Sequence, residues 1–386
     1  MKTIGKIVIF LFVCFFLTQA ALFAADKGNF STAPKTDNGK KWRIGYYEGG
    51  EYITYQKNFT ATIKALMNLG WIEAAKLPPQ KGEQTEELWN WLSSKSKSKY
   101  LQFVKDAHYT AKWDENIKKK TAAEIIDRLN QKKDIDLMMS YSTWAGQDLA
   151  NNKHHTPTMV MVTSNPLSAG IIKSVEDSGY DHIHARVDPF RTEREVRTFH
   201  DIIGFKKLGV PYEDSLTGRS YASIDKVEKV AKERGFEIVH CHTLSDGVTQ
   251  KVAGESMRKC FLELGKKADA IYITSQGGIY SKNIPKLVEI ANSHRIPTYS
   301  DMGSSHVKLG FLLSVSMADY KYVGQFYAET FAKILNGAKP RELNQIFEDP
   351  PRIAINLKTA EIIGYDPPIG VLEMADEIYE SIAKPE

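Results

Sequence analysis

The chain has 386 residues, 42 % of them apolar and 25 % charged, ordinary proportions that exclude a disordered, collagen-like or coiled-coil protein. Lys and Arg number 51 against 47 Asp and Glu, a net charge of +4, with no concentrated basic face to take nucleic acid as a partner. The length suits two domains, and three cysteines are too few for a disulfide scaffold.

At the start, Lys2 and Lys6 precede an apolar run over residues 7–17, followed by Ala20, Ala21, Ala24 and Ala25. A positive start, a short apolar core and a small-residue end describe a secretory signal peptide over residues 1–25. A membrane anchor wants about 20 unbroken apolar residues, and Thr18 and Gln19 interrupt this run. Cys14 lies inside the apolar core, which argues against a lipid-anchored mature end. The expected location is periplasmic or otherwise extracytoplasmic. An oxidising compartment would allow Cys241 and Cys260 to pair.

Beyond Trp42, short apolar runs alternate with segments of helical period. Strands are expected at 43–47, 100–104, 135–140, 158–163, 183–187, 207–212, 237–242, 270–274, 298–300, 311–315 and 352–356. Helices are expected at 60–69, 121–130, 194–203, 224–234, 254–264, 284–293 and 323–336. This alternation argues for parallel sheets covered on both faces, and so many strands exceed one ordinary sheet. The expected fold class is α/β, with two doubly wound parallel-sheet lobes. Residues 74–99 break the rhythm with Pro78, Pro79, a helical stretch carrying Trp89 and Trp91, and the run KSKSK at 95–99. They read as an inserted surface helix, either a solvated decoration or a docking surface using its two tryptophans.

In open α/β sheets, ligands sit beyond the carboxyl ends of the strands, where helix N-termini present free N–H groups. The residues at those ends are Tyr46, Tyr47 and Glu48, then Ser142, Thr143 and Trp144, then Thr163, Ser164 and Asn165. In the second half they are Tyr212, Ser275, Gln276 and Asp301. Hydroxyls and amides at helix starts can hold a carboxylate, and Glu48 or Asp301 can hold an ammonium. Tyr46, Tyr47, Trp144 and Tyr212 can enclose a flat apolar group. Together these suit an aromatic amino acid, although caps and packed rings explain each residue taken singly.

Catalytic signals are weak: GxSxG, Walker, HExxH and GxGxxG motifs are absent, and Ser275 has no base in view. His240 and His242 share one strand face, but no third and fourth ligand stand at a telling spacing. The expectation is a protein without enzymatic activity, cofactor or metal site.

The runs GWIE at 70–73, VTSNPLSAG at 162–170, ADAIYITS at 268–275, IPTYSD at 296–301 and INLKTAEIIGYDPP at 355–368 resemble the substrate-binding proteins of ABC transporters. More narrowly, they resemble the group that includes tryptophan- and tyrosine-binding members. The resemblance implies a type I periplasmic binding protein fold, two lobes joined by three crossovers. On this chain it places lobe one at 41–184 plus 310–338 and lobe two at 185–309 plus 339–384. It also implies a ligand site on the strand-end residues above, closure about the crossovers, and a membrane permease as partner. A sensor presenting its ligand state to a membrane receptor is the alternative, and a hydrolase working between the lobes is more remote. Three departures from the family pattern stand out: the insertion at 74–99, Ser275-Gln276-Gly277 where Thr-Asp-Asn is usual, and the bulky Trp144.

Overall fold

The computed structural model describes residues 26–317, 320–348 and 350–385; the expected signal peptide lies outside them. Five parallel strands, β1 (Trp42–Glu48), β2 (Leu101–Thr110), β3 (Leu137–Tyr141), β4 (Thr158–Met161) and β5 (Ile183–Ala185), form the first sheet in the order β2-β1-β3-β4-β5. Around it lie α1 (Ile53–Asn68), α2 (Glu86–Ser94), α3 (Glu115–Gln131) and α4 (Thr143–Leu149). β3 and β4 are buried along their whole length, as expected of parallel strands covered on both faces.

The second sheet holds β6 (Lys207–Tyr212), β7 (Glu237–His242), β8 (Ala270–Ile273), β9 (Thr298–Ser300), β10 (Leu313–Met317), β11 (Pro351–Asn356) and β12 (Glu377–Tyr379). Its order is β12-β11-β10-β9-β8-β6-β7, and only the β10–β11 pair is antiparallel. The helices that follow the first lobe are α5 (Arg191–Ile203), α6 (Leu216–Ala222), α7 (Ile224–Arg234), α8 (Gln250–Lys267), α9 (Ile284–Ser293) and α10 (Ser304–Lys308). The last three are α11 (Tyr320–Leu335), α12 (Leu357–Ile363) and α13 (Ile369–Met374). The run β7-β6-β8-β9-β10 repeats the order of the first sheet, so each lobe has a switch point beside its first strand, where ligand crevices form. Local chemistry fixes the helix ends. Asp114 accepts the N–H groups of Asn116 and Ile117 at 2.8 and 3.0 Å at the start of α3, and Gly204, at φ 71°, ends α5 in the left-handed conformation.

The chain passes between lobes three times: between β5 and α5, between β10 and α11, and between α11 and β11. Segment 310–338 is therefore divided, not wholly in lobe one. β10 pairs with β9 and β11, and Leu313 packs in the second lobe's core. Only α11 returns, laying Val323, Tyr327 and Phe331 in the first lobe's core.

Three further differences bear on the site. The inserted helix α2 is not a surface decoration: Leu88, Trp89 and Leu92 form one apolar face. Trp89 is fully buried, its ring centroid 5.5 Å from that of Phe103 and 5.8 Å from that of Tyr46, so it cannot serve as a docking residue. α1 begins at Ile53, about two turns earlier than the expected 60–69, and Thr54, Tyr55, Gln56 and Asn58 of those turns are buried. β12 was not expected, since its three residues carry no apolar run. Cys241 and Cys260 form a disulfide. Among the described residues, no helix is long and apolar enough to cross a membrane.

Candidate ligand cleft between the lobes

The carboxyl ends of both sheets face a cleft of about 1750 Å³. On the first lobe its floor is Glu48, the last residue of β1. The Tyr46 hydroxyl donates to Glu48 Oε2 at 2.7 Å and the Thr85 hydroxyl to the same oxygen at 2.8 Å. His108 Nε2 lies 2.9 Å from Thr85 Oγ1. Burial pushes the Glu48 carboxyl up to about 7 and the His108 imidazole down to about 4; in each case the charged form is penalised by lost water. Thr85 belongs to the insertion, whose residues 82–86 also line the cleft. α1 holds that wall: Gln56 Nε2 donates to the carbonyls of Gly82 (3.1 Å) and Gln84 (2.8 Å), and the Tyr52 N–H to that of Glu83 (3.2 Å). Tyr52, Tyr55 and Trp113 supply rings. Trp113 reaches its place across Gly49, where a Cβ would stand 2.8 Å from the indole, a close approach that only glycine permits.

The second lobe answers with carboxyls. Asp301 Oδ2 accepts the Ser275 N–H at 3.2 Å and its hydroxyl at 3.3 Å. Burial raises this carboxyl to about 7 against the opposing pull of Arg191. Arg191 donates Nε to Glu195 at 2.8 Å and an Nη to the Asp301 carbonyl, so its charge is already matched by Glu195. Asp246, raised to about 6 chiefly by burial, accepts Trp144 Nε1 at 3.0 Å and the Tyr221 hydroxyl at 3.3 Å. That Trp144 bond joins the lobes. So do Tyr52 OH to Met302 Sδ at 3.2 Å and Ser220 OH to the Asn165 carbonyl at 2.9 Å.

The model of the ABC transporter substrate binding protein family matches residues 102–378. The chain belongs to that family. A tyrosine-binding protein from Clostridioides difficile (strain R20291) is 24 % identical over 229 residues, 59 % of this chain and 63 % of that protein. This chain therefore matches less than two thirds of that relative's length. Among solved structures, an ABC domain from Streptococcus pneumoniae in complex with L-Trp is similar at TM-score 0.66 and 19 % identity, covering 88 % of this chain and 100 % of the other. A ligand-free, open substrate-binding protein with adhesive properties from Clostridium difficile follows at TM-score 0.58 and 20 % identity, with the same coverage. These structural likenesses show the type I periplasmic binding fold.

Of the residues expected at this substrate-binding protein's site, Glu48, Thr143, Thr163, Ser164, Ser275, Gln276 and Asp301 line the cleft. Six others stand behind its wall. Tyr46 and Tyr47 are buried on opposite faces of β1, under Trp89 and His108 on one side and bonded to Asp148 at 2.7 Å on the other. Successive strand residues point to opposite faces, and both faces here are covered. Ser142 caps α4 by accepting the Ala145 N–H at 3.0 Å, and Asn165 accepts the Ser168 N–H at 3.0 Å. Trp144 is wholly buried beside Trp113. Tyr212 packs against His240 and His242, which gives those histidines neighbours of their own. The Gln276 amide is spent on Pro211 and Thr243, although the residue lines the cleft.

Sequence reasoning missed Tyr52, Tyr55, Trp113, Tyr221, Asp246, Arg186 and Arg191, all of which line the cleft. Tyr52, the N-cap of α1, and Tyr55, on its first turn, stand three apart, a spacing visible in the sequence once the helix start is placed. Arg186 lies on the first crossover against the Phe347 ring, 5.4 Å away, and nothing in the linear pattern marks it.

Proposed function

We propose that this protein is the extracytoplasmic solute-capturing component of an ABC importer, taking a small amino-acid-like, aromatic solute and delivering it to a membrane permease. One observation carries the reading: a half-buried carboxyl, Asp301, hydrogen-bonded by Ser275 and raised to about 7, lines the same cleft as the rings of Tyr52 and Tyr55. A carboxylate so placed is completed by an ammonium, and flanking rings are completed by a flat apolar group. The tyrosine-binding relative and the L-Trp complex support the same class, as does the leader-like start of the chain. No bond need be made or broken. Contacts from both walls favour the closed form, and the solute shifts the equilibrium only by its preference for that form.

The test is thermal unfolding of the mature protein against amino acids, indoles, nucleosides and sugars. A solute at about 100 times its Kd adds about 2.7 kcal/mol, and the shift is expected with aromatic amino acids. A shift with sugars or nucleosides alone removes the ligand class. Asp301→Asn is expected to weaken the responding solute about 10- to 100-fold; unchanged affinity removes its ammonium role.

A further inference from the structure

Capture of an amino-acid-like solute also requires donors for its carboxylate; of the expected holders Thr143, Thr163 and Ser164 line the cleft, whereas Ser142 and Asn165 stand behind its wall. Ser142 Oγ and Asn165 Oδ1 already accept backbone N–H groups as helix caps. The cleft offers another place. α1 is 16 residues long, its N-cap Tyr52 has no side-chain cap, and its first turn holds no acidic residue. The N–H groups of Ile53 and Thr54 have no acceptor among the described residues. Thr54 lines the cleft at 8 % exposure, and its hydroxyl likewise has no partner there. One turn further, Lys57 lines the same cleft, half-buried, its ammonium 5.7 Å from the Tyr320 ring centroid. It forms no ion pair among the described residues, and loss of water lowers its pKa from the ordinary value. Residues three apart on a helix are neighbours, so Thr54 and Lys57 can approach one group together.

We propose that the first turn of α1 is the anion subsite of the cleft, where the N–H groups of Ile53 and Thr54, the Thr54 hydroxyl and the Lys57 ammonium receive the solute's carboxylate. Free N–H groups and the helix dipole favour an anion at such an end, and Lys57 supplies the full charge. With Asp301 opposite, the solute lies as a zwitterion spanning the lobes, its negative end on the first and its positive end on the second. This orientation rests on the amino-acid reading above; the anion subsite itself does not depend on the ring.

The experiment pairs L-tryptophan with tryptamine, which lacks the carboxylate, on the wild type, Lys57→Met, Thr54→Val and the rim control Lys282→Met. The wild type is expected to bind tryptophan about 10- to 100-fold more tightly than tryptamine, and Lys57→Met to lose about that factor for tryptophan while leaving tryptamine within about twofold. Thr54→Val is expected to lose about threefold to tenfold for tryptophan alone, and serves if Lys57→Met does not fold. Equal losses for both probes, or no loss, overturn the subsite. If neither probe binds the wild type, the aromatic reading fails and acetate decides the subsite. Acetate added to the solute-free protein should raise the melting temperature of the wild type and Lys282→Met more than that of Lys57→Met. An equal rise, or none, overturns it.

Discussion

The two walls of the cleft are built differently. The first lobe presents rings backed by other rings: Tyr52 and Tyr55 pack edge-on at 5.1 Å, and Trp113 meets Trp144 at 5.6 Å. Beneath them the inserted Trp89 locks β1 to β2. The second lobe presents carboxyls backed by hydrogen bonds and ion pairs. Asp301 rests on Ser275, Arg191 on Glu195, and the Tyr272 hydroxyl also reaches Glu195, at 2.6 Å. The first wall is thus shaped by packing and the second by electrostatics. Changes of volume should strike the packed backing of the first wall, and changes of charge or covalent linkage the backing of the second.

The largest effect expected is from Trp89→Ala. Removing a fully buried indole costs about 3–5 kcal/mol, read by urea denaturation; a loss below about 1 kcal/mol would make the insertion a decoration after all. Next comes the second lobe's counterpart. Reducing the Cys241–Cys260 disulfide, which joins residues 19 apart, costs about 3 kcal/mol through the freed unfolded chain. Trp89→Ala combined with reduction should be additive, since the two sites belong to separate cores. Strong coupling would show that the lobes do not divide the stability as described.

The charged wall has its own signature. Asp301 sits at about 7 in the folded protein, above the ordinary carboxylate value of 3.8, so its neutral form is favoured as pH falls below 7. An ammonium binds the ionised form. Affinity for an ammonium-bearing solute should therefore rise from pH 5 towards 7 by up to about tenfold per pH unit and level off above. Isothermal calorimetry of wild type and Asp301→Asn checks this: the variant should lose the steepest part of the dependence. The same slope in both would assign the titration to Glu48, also about 7, on the opposite wall.

The sequence carried the scaffold and part of the site. β6 and β9 fall at their expected ranges because parallel strands buried on both faces leave continuous runs; the edge strand β7 also matches, although most of it is exposed or half-buried. Glu48 and Asp301 were legible for the same reason: each lies at or just beyond a strand's last residue, where the chain looks along the strand axis into the cleft. The rings were not. Tyr46 and Tyr47 are aromatic and adjacent to the switch point, yet strand alternation turns both into covered faces. Tyr55, Trp113 and Tyr221 reach the cleft from a helix start, a loop and a helix end, whose positions depend on tertiary packing. Polar residues at the head of α1 concealed its first turn, since Gln56 and Thr54 read as loop until the insertion that Gln56 holds is in place.

The smallest predicted effects compare the two walls directly. Thr85→Val and Ser275→Ala each remove one hydroxyl from a carboxyl raised to about 7. Thr85 is 1 % exposed, its bond to Glu48 is 2.8 Å, and His108 shares the hydroxyl. Valine keeps the shape, removes the Thr85 bond to Glu48 and takes the hydroxyl from the imidazole nitrogen, a loss of about 1 kcal/mol. Ser275 is half-buried, its hydroxyl reaches Asp301 only at 3.3 and 3.4 Å, and its backbone N–H stays in place after substitution. Its loss should be about 0.5 kcal/mol or less. In both variants a hydrogen bond that favours ionisation disappears, so the affected carboxyl should move further up, more for Glu48 than for Asp301. Paired urea denaturation, with NMR titration of the two carboxyls, measures both quantities. Should Ser275→Ala cost more than Thr85→Val, the second wall, not the first, would be the one whose polar backing is rigid.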